Sequence, residues 1–318
     1  AVCRILKIPV KVYNFEKEYN RKVISYFFNE EKRGLTPNPD IVCNREIKFG
    51  LFLKRALADG ADFIATGHYA RNKTIDKKQL TLDGVREIKG QRSIVKSQML
   101  LQAEDKNKDQ TYFLCLLNQK QLARSLFPLG SITKPEVREL ARSANLPTAE
   151  KAESMGICFV GEVKLEKFLK AKIAERPGRI IATEGKIIGK HKGLPFYTIG
   201  QRKGLNIGGG TTYFVAAKDT KRNRLIVAAG ADNPALFSKK ILIKNVSWIG
   251  DKPKKFPFQC AVKIRYRQES QKAMLKYSKK NLVIEFAEPQ RAATPGQYCA
   301  IYEKNTLLGG GVINATSR

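Results

Sequence analysis

At Arg179 the sequence changes texture, and that change commits the chain to a helix-bearing half followed by a β-rich half. Ahead of it, apolar residues recur at helical spacing. Phe49, Phe52, Leu53, Ala56 and Leu57 fall at i, i+3, i+4, i+7 and i+8, with Gly60 as the stop, and predict a helix from Asn44. Residues 20–33 predict another, broken over 34–39. The run 61–66 reads as a short buried strand that ends at Gly67-His68-Tyr69. Helices alternating with short strands mark a parallel α/β sheet. Residues 71–101 are polar and predict a hairpin or loop. Asp109 opens a further helical stretch, and Thr133-Lys134-Pro135-Glu136 has capping-box spacing, with its helix running to about Ala144. Leu165, Phe168, Leu169 and Ile173 share one face of an amphipathic helix closed by Pro177-Gly178.

Beyond Arg179, glycines at 185, 189, 193, 200 and 204 punctuate one block of short strands, and a second block begins near Ile241. From Cys260 to Arg267 the even positions are Cys, Val, Ile and Tyr, while Lys263, Arg265 and Arg267 share the odd face with Ala261. The alternation predicts a half-buried strand presenting three cations in a row. That row is either a binding face or an ordinary solvated one. At the other end, residues 1–8 read as the end of a helix and 9–15 as a strand, which leads us to expect a segment before Ala1.

A chain of 318 residues divides into two or three domains. No run approaches the roughly 18 apolar residues of a membrane span, so no membrane partner is expected. Six cysteines without a CxxC, beside only two histidines, argue against a zinc site or a disulfide framework and point to a cytoplasmic protein. Fifty-nine Lys and Arg against 29 Asp and Glu give a formal charge of +30, a field that attracts polyanions, nucleic acid first among them. A merely lysine-rich solvated surface is the bland alternative.

Two cysteines stand apart from the other four. Cys43 follows the doubled proline of Thr36-Pro37-Asn38-Pro39-Asp40, and Cys158 follows Gly156 among short polar residues. Both are expected on turns that present an accessible thiol, whereas Cys3, Cys115, Cys260 and Cys299 lie in apolar or strand-like surroundings and read as small buried hydrophobes.

With these words in view the chain resembles the tRNA-specific 2-thiouridylase (MnmA/TrmU) family along essentially its whole length. The resemblance rests on Thr36-Pro37-Asn38-Pro39-Asp40 with Cys43-Asn44, Ala65-Thr66-Gly67-His68-Tyr69-Ala70 and Asn107-Lys108-Asp109-Gln110-Thr111-Tyr112-Phe113. Gly156-Ile157-Cys158-Phe159, Gly200-Gln201-Arg202-Lys203-Gly204, Arg265-Tyr266-Arg267-Gln268 and Thr294-Pro295-Gly296-Gln297 complete it in the family's order. It implies an α/β fold: a partial Rossmann-like ATP pyrophosphatase domain (1–162), a central β-rich domain (163–240) and a C-terminal, tRNA-binding β-barrel (241–318). It also implies an enzyme that uses ATP, with magnesium as counterion, to activate the wobble uridine oxygen of tRNA and replace it with sulfur. Cys158 would carry the persulfide, Cys43 would be the second catalytic thiol, the two would form a disulfide under oxidation, and Asp40 would handle protons. Gly67 would contact ATP. Asn38, Pro39, Asp40, His68, Lys108, Asp109, Gln110, Arg265, Tyr266 and Gln297 would contact tRNA. The implied partners are tRNA and a persulfide-donating relay protein or cysteine desulfurase, and the implied state is a monomer.

One word of the family is missing. No SGGxDS phosphate-binding loop occurs in the sequence, so a segment carrying it is expected ahead of Ala1, or else the chain is a tRNA-binding remnant without catalysis. A relative that adenylates a small molecule is the other rival, and the paired thiols and basic barrel speak against it.

Overall fold

The computed structural model describes residues 1–75, 97–151, 165–278 and 281–317. A single turn, α1 (Val2–Ile5), opens the chain. Residues 9–15, expected as a strand, join no sheet among the described residues, and Val10 and Val12 are 66% and 84% exposed. α2 (16–32) and α3 (39–58) then form the helical core of the first half. Each contains a π-helical stretch, Asn20–Ile24 in α2 and Asn44–Phe52 in α3.

The start of α3 differs from the sequence expectation for a clear reason. Asn38 is extended (φ −117°, ψ 99°) and its side chain accepts from the Ile41 N–H at 3.3 Å, which makes it the N-cap. Pro39 occupies the first helical position, where its missing N–H costs nothing. The helix therefore starts five residues ahead of Asn44, and Cys43 lies inside it rather than on a turn.

β1 (Ile64–Ala65) pairs in parallel with β4 (Ser125–Leu126), the parallel element expected from the helix–strand alternation. Between them β2 (Ala70–Ile75) and β3 (Ser97–Gln102) form the expected antiparallel hairpin. The helical stretch expected from Asp109 is only a 3₁₀ turn, Thr111–Leu114, followed by the short helix α4 (Gln119–Leu122). α5 (Lys134–Ser143) has the capping box read from sequence: the Thr133 side chain accepts from the Glu136 N–H, and the Glu136 carboxylate accepts from the Thr133 N–H at 2.7 Å. In α6 (Leu165–Lys170) the Phe168 ring packs on Phe28 and Phe27 of α2, with centroids 5.1 and 5.9 Å apart.

The second half is all sheet and short turns. β5 (Gly178–Ala182), β6 (Ile187–His191), β7 (Tyr213–Asp219) and β8 (Arg224–Ala229) form a four-stranded sheet in the order β6-β5-β8-β7 around Ile180, Val215, Leu225 and Val227. β9 (Phe237–Trp248), β10 (Phe258–Lys263), β11 (Gln271–Ser278), β12 (Asn281–Arg291), β13 (Tyr298–Glu303) and β14 (Thr306–Ser317) close on themselves, because β14 pairs with both β9 and β13. Closure removes the sheet edges. β14 also takes β3 as a neighbour, so the hairpin of the first half is hydrogen-bonded to the barrel of the second.

β13 explains how the halves adhere. All of Tyr298, Cys299, Ala300, Ile301 and Tyr302 are buried, a pattern that requires cover on both faces. Cys299 and Ile301 point into the barrel core, while Tyr298, Ala300 and Tyr302 join the core formed by α2 and α3. Polar groups are matched across this junction. The Tyr112 hydroxyl donates to the Tyr298 carbonyl at 3.0 Å, and Lys263 Nζ donates to Asp109 Oδ2 at 3.2 Å. The Thr111 hydroxyl lies 2.9 Å from Asp109 Oδ1 and 3.1 Å from the Tyr302 hydroxyl.

This corrects the row of three cations. β10 ends at Lys263, which is only 9% exposed and is spent on Asp109, while Arg265 and Arg267 lie on the turn that follows. The row is broken because the Lys263 ammonium is held inside by a carboxylate from the other half. Removing one member of such a pair strands the other: Lys263→Ala is expected to cost about 3–5 kcal/mol. It should show as a lowered midpoint of chemical denaturation, with little change for the exposed Lys252→Ala.

Candidate functional site

Several of the residues singled out from sequence lie on, or are linked to, the N-terminal half of α3. Asn38 and Pro39 start that helix, and Asp40 and Cys43 lie in its first turns. The segment feeding it is gripped by a turn of the barrel 261 positions away: Gln297 Nε2 donates to the Thr36 carbonyl at 3.1 Å. The Asn38 amide donates to Gln297 Oε1 at 3.4 Å, and the Thr36 N–H donates to the Pro295 carbonyl at 3.0 Å. Gly296 has to be glycine here. Its φ is 94°, and a Cβ would sit 2.7 Å from the Thr36 nitrogen. Two of the sequence words are thus one structural unit.

Two further links radiate from α3. Asn44, one position after Cys43, donates from Nδ2 to the Phe113 carbonyl at 3.0 Å, and the Phe113 ring packs on Tyr266 with centroids 4.5 Å apart. Tyr266 belongs to the turn after β10, which Gln268 closes by accepting the Ile264 N–H at 2.9 Å. Farther along α3, the Phe49 ring lies 5.6 Å from His68. The thiol-bearing helix is therefore wired to both the His68 turn and the Arg265-Tyr266 turn. Asn44 and Phe113 stand in the quoted words but carried no assigned role; burial and partner, which only the fold supplies, distinguish them.

The remaining candidates divide by exposure. Arg265 is exposed, with a guanidinium nitrogen donating to the Arg291 carbonyl. Lys108 is half-buried. Asp109 is 5% exposed and accepts from the Ala103 N–H as well as from Lys263, so it braces the junction of the halves. Gln110 pins the turn that carries His68: its side chain accepts from the Tyr69 N–H at 3.0 Å and its own N–H donates to the Tyr69 carbonyl at 2.9 Å. Gly67 follows β1 at the carboxyl end of the parallel pair, where α/β sheets admit ligands. A Cβ there would meet only a Leu129 methyl at 3.9 Å. Cys158 lies outside the described residues.

Cys43 is fully buried, at 0% exposure, in place of the accessible turn thiol expected. Reaction at its sulfur therefore requires that the site open. Burial makes the bystander thiols inert: Cys260 and Cys299 are each pushed up to about 12, and Cys115 is raised further. At neutral pH none of the three carries appreciable thiolate, the reactive form. Iodoacetamide on the native protein, read by peptide mass spectrometry, is expected to leave Cys115, Cys260 and Cys299 unmodified and to label all of them after unfolding.

His68 is held neutral. Desolvation, aided by the nearby Lys48 ammonium, lowers its pKa to about 3, and Nδ1 lies 3.0 Å from the Thr66 hydroxyl. It can exchange hydrogen bonds with a ligand but supplies no positive charge. Because the unfolded ring protonates near 6.5 and the folded one near 3, its contribution to stability is complete above about 6.5 and is lost as pH falls below that. An NMR titration should find the His68 resonances flat between roughly pH 5 and 8. An inflection near 6.5 would mean that the ring is solvated.

Comparison with known proteins adds the last element. Residues 1–162 match a tRNA methyl transferase HUP domain, 166–229 a tRNA methyl transferase PRC-barrel domain, and 238–313 an aminomethyltransferase beta-barrel domain. The chain is 44% identical over 324 residues to a tRNA-specific 2-thiouridylase MnmA of Legionella pneumophila, an alignment covering 100% of this chain and 84% of that protein. Proteins of the same name from Bacillus cereus (44% over 319 residues, 100% and 81% covered) and Halalkalibacterium halodurans (45% over 316, 98% and 80%) are similarly related.

Proposed function

The chain belongs to the tRNA-specific 2-thiouridylase family, and from that membership we propose that it replaces the C2 oxygen of the anticodon wobble uridine of tRNA with sulfur. The observation that carries this reading is the seam around α3. The helix that carries Asp40 and Cys43 is joined there, by hydrogen bonds and ring contacts, to the widely separated segments of Thr36, His68, Phe113, Tyr266 and Gln297, which supports the reading. A pure RNA-binding protein needs neither Cys43 nor Asp40 at such a seam. The paired cysteine words also favour sulfur transfer over the methyl transfer mentioned in the domain descriptions.

In this reading Asn38, Pro39 and Asp40 meet the target base, with Asp40 placed to hold or move a proton. The Arg265-Tyr266 turn, Lys108 and the exposed cations Arg202 and Lys203 engage the RNA. Gln297, Asp109 and Gln110 support tRNA binding chiefly by fixing the turns that surround it. Gly67 offers its backbone to ATP, which with magnesium supplies the group that makes the uridine oxygen a leaving group. Cys158 carries the persulfide delivered by a relay protein or cysteine desulfurase. Its outer sulfur bonds to C2 as the activated oxygen leaves, the Cys43 thiolate attacks the inner sulfur on Cys158 and breaks the persulfide S–S bond, and the resulting Cys43–Cys158 disulfide is reduced by an external thiol before the next turnover. The domains follow the order α/β (1–162), β-rich (163–240) and barrel (241–318), and the protein acts as a cytoplasmic monomer.

The test is made on the full gene product, including any residues that precede Ala1. With ATP, magnesium, a persulfide donor and unmodified tRNA, nucleoside analysis is expected to find 2-thiouridine. Cys43→Ser and Cys158→Ser should abolish it while tRNA affinity stays within about twofold, and mild oxidation should yield a Cys43–Cys158 peptide pair. Arg265→Ala should instead weaken binding and lower the salt slope by about one unit. Equal affinity losses in the cysteine and arginine variants would refute this division of labour, and absence of 2-thiouridine with wild-type protein would refute the reading.

A further inference from the structure

Beside the Gln297 junction, α2, α3 and the β9–β14 side of the barrel enclose a cleft of about 300 Å³ that contains none of the residues discussed as the reacting site. Its lining is mostly polar, with two tyrosines, Tyr26 and Tyr298, among the residues that form it. Leu116 and Ile313 are buried there, and the Tyr26 and Tyr298 hydroxyls lie 3.2 Å apart. Its rim is basic: Arg33 pairs with Glu30 at 2.6 Å and Arg45 with Glu46 at 2.9 Å. Lys244, exposed on the same rim, has no carboxylate partner among the described residues.

Two irregularities of the β9–β14 ladder bracket Lys244. The pairing steps from Ser247–Gly310 to Lys244–Val312, leaving Asn245 and Val246 opposite Gly311, and then from Ile243–Ile313 to Leu242–Ala315, leaving Asn314 unpaired. Asn245 adopts φ 51°. Bulges re-aim side chains that a regular ladder would hold elsewhere. Here both displaced asparagines line the cleft.

Tyrosines, amide side chains and an unpaired cation lining one cleft are the parts by which proteins seat an unstacked nucleotide, the aromatic groups meeting its base, the amides its base edge and the cation its phosphate. The volume lies at the small end of ligand sites, ~300–1,000 Å³, and excludes a duplex. Arg45 comes two positions after Cys43, about half a turn round α3, so the cleft and the thiol occupy different faces of one helix. We propose that this cleft binds one nucleotide of the tRNA other than the nucleotide being modified, and so sets which tRNA conformations place the wobble base at Asp40. The inference rests on the proposed tRNA substrate and extends it to a site of its own.

Binding of unmodified tRNA is measured without ATP or sulfur donor, as a function of salt, and hydroxyl-radical footprints are taken in parallel. At about 0.1 M salt Lys244→Gln is expected to weaken binding about fivefold and to lower the salt slope by about one unit. Asn314→Trp, which fills the cleft from an exposed position, should weaken binding comparably and leave the slope unchanged. Lys252→Gln, an exposed lysine elsewhere on the barrel, should alter neither. Lys244→Gln should also lose protection at a nucleotide distinct from the wobble position. Behaviour of Lys244→Gln like that of Lys252→Gln overturns the proposal, as does protection lost only at the wobble nucleotide, or full affinity in Asn314→Trp. Since no turnover is read, a protein that binds tRNA but forms no 2-thiouridine would defeat the catalytic reading while leaving this one standing.

Discussion

The docking of β13 against the helical half is the constraint on which the rest of the structure depends. A strand of a closed barrel normally shows one face to water. Here the outward residues Tyr298, Ala300 and Tyr302 are buried among the residues of α2 and α3, so the two halves share one hydrophobic core. Such a junction could slide if it were only apolar. The Asp109–Lys263 pair, with Thr111 and the Tyr302 hydroxyl around it, admits one register, because any shift would leave a charge buried without its partner. β3 adds a backbone ladder to β14 and fixes the same register a third way.

That rigidity is what allows a site to be assembled from distant segments. The turn at Gln297 sits directly before β13, so fixing β13 fixes the clamp on Thr36 and Asn38, and hence the start of α3. The turn at Tyr266 follows β10, whose last residue is Lys263, so the same ion pair that locks the halves also positions the ring stacked on Phe113. Desolvation then sorts the ionisable groups. Buried thiols away from the seam are pushed out of the reactive range and His68 is held neutral.

Much of this was legible in the residues. The capping box at Thr133, the antiparallel β2–β3 pair at the ends of 71–101, the all-β second half and the burial of Cys115 and Cys299 follow from spacing and local chemistry, and the structure agrees, whereas Cys3 and Cys260 are only half-buried. Three of the readings that failed did so for identifiable reasons. The doubled proline suggested an extended entry as far as Cys43, but Pro39 at a first helical position is compatible with helix, and Asn38 was the cap to look for. Residues 9–15 have strand composition yet no ladder partner among the described residues. The cation row of 263, 265 and 267 counted alternation beyond the strand's end at Lys263.

By itself, the sequence determined the class of each half, the chemistry its thiols and cations make available, and the words that tie it to a family, because periodicity, caps and residue types act over a few neighbours. Only the tertiary structure decided that Cys43 is buried, that Lys263 faces Asp109 instead of solvent, and that Gln297 holds the loop at Thr36. Those outcomes depend on which surfaces meet across the junction of the two halves, and no local spacing encodes the burial or the partner that a residue acquires from a segment more than 150 positions away.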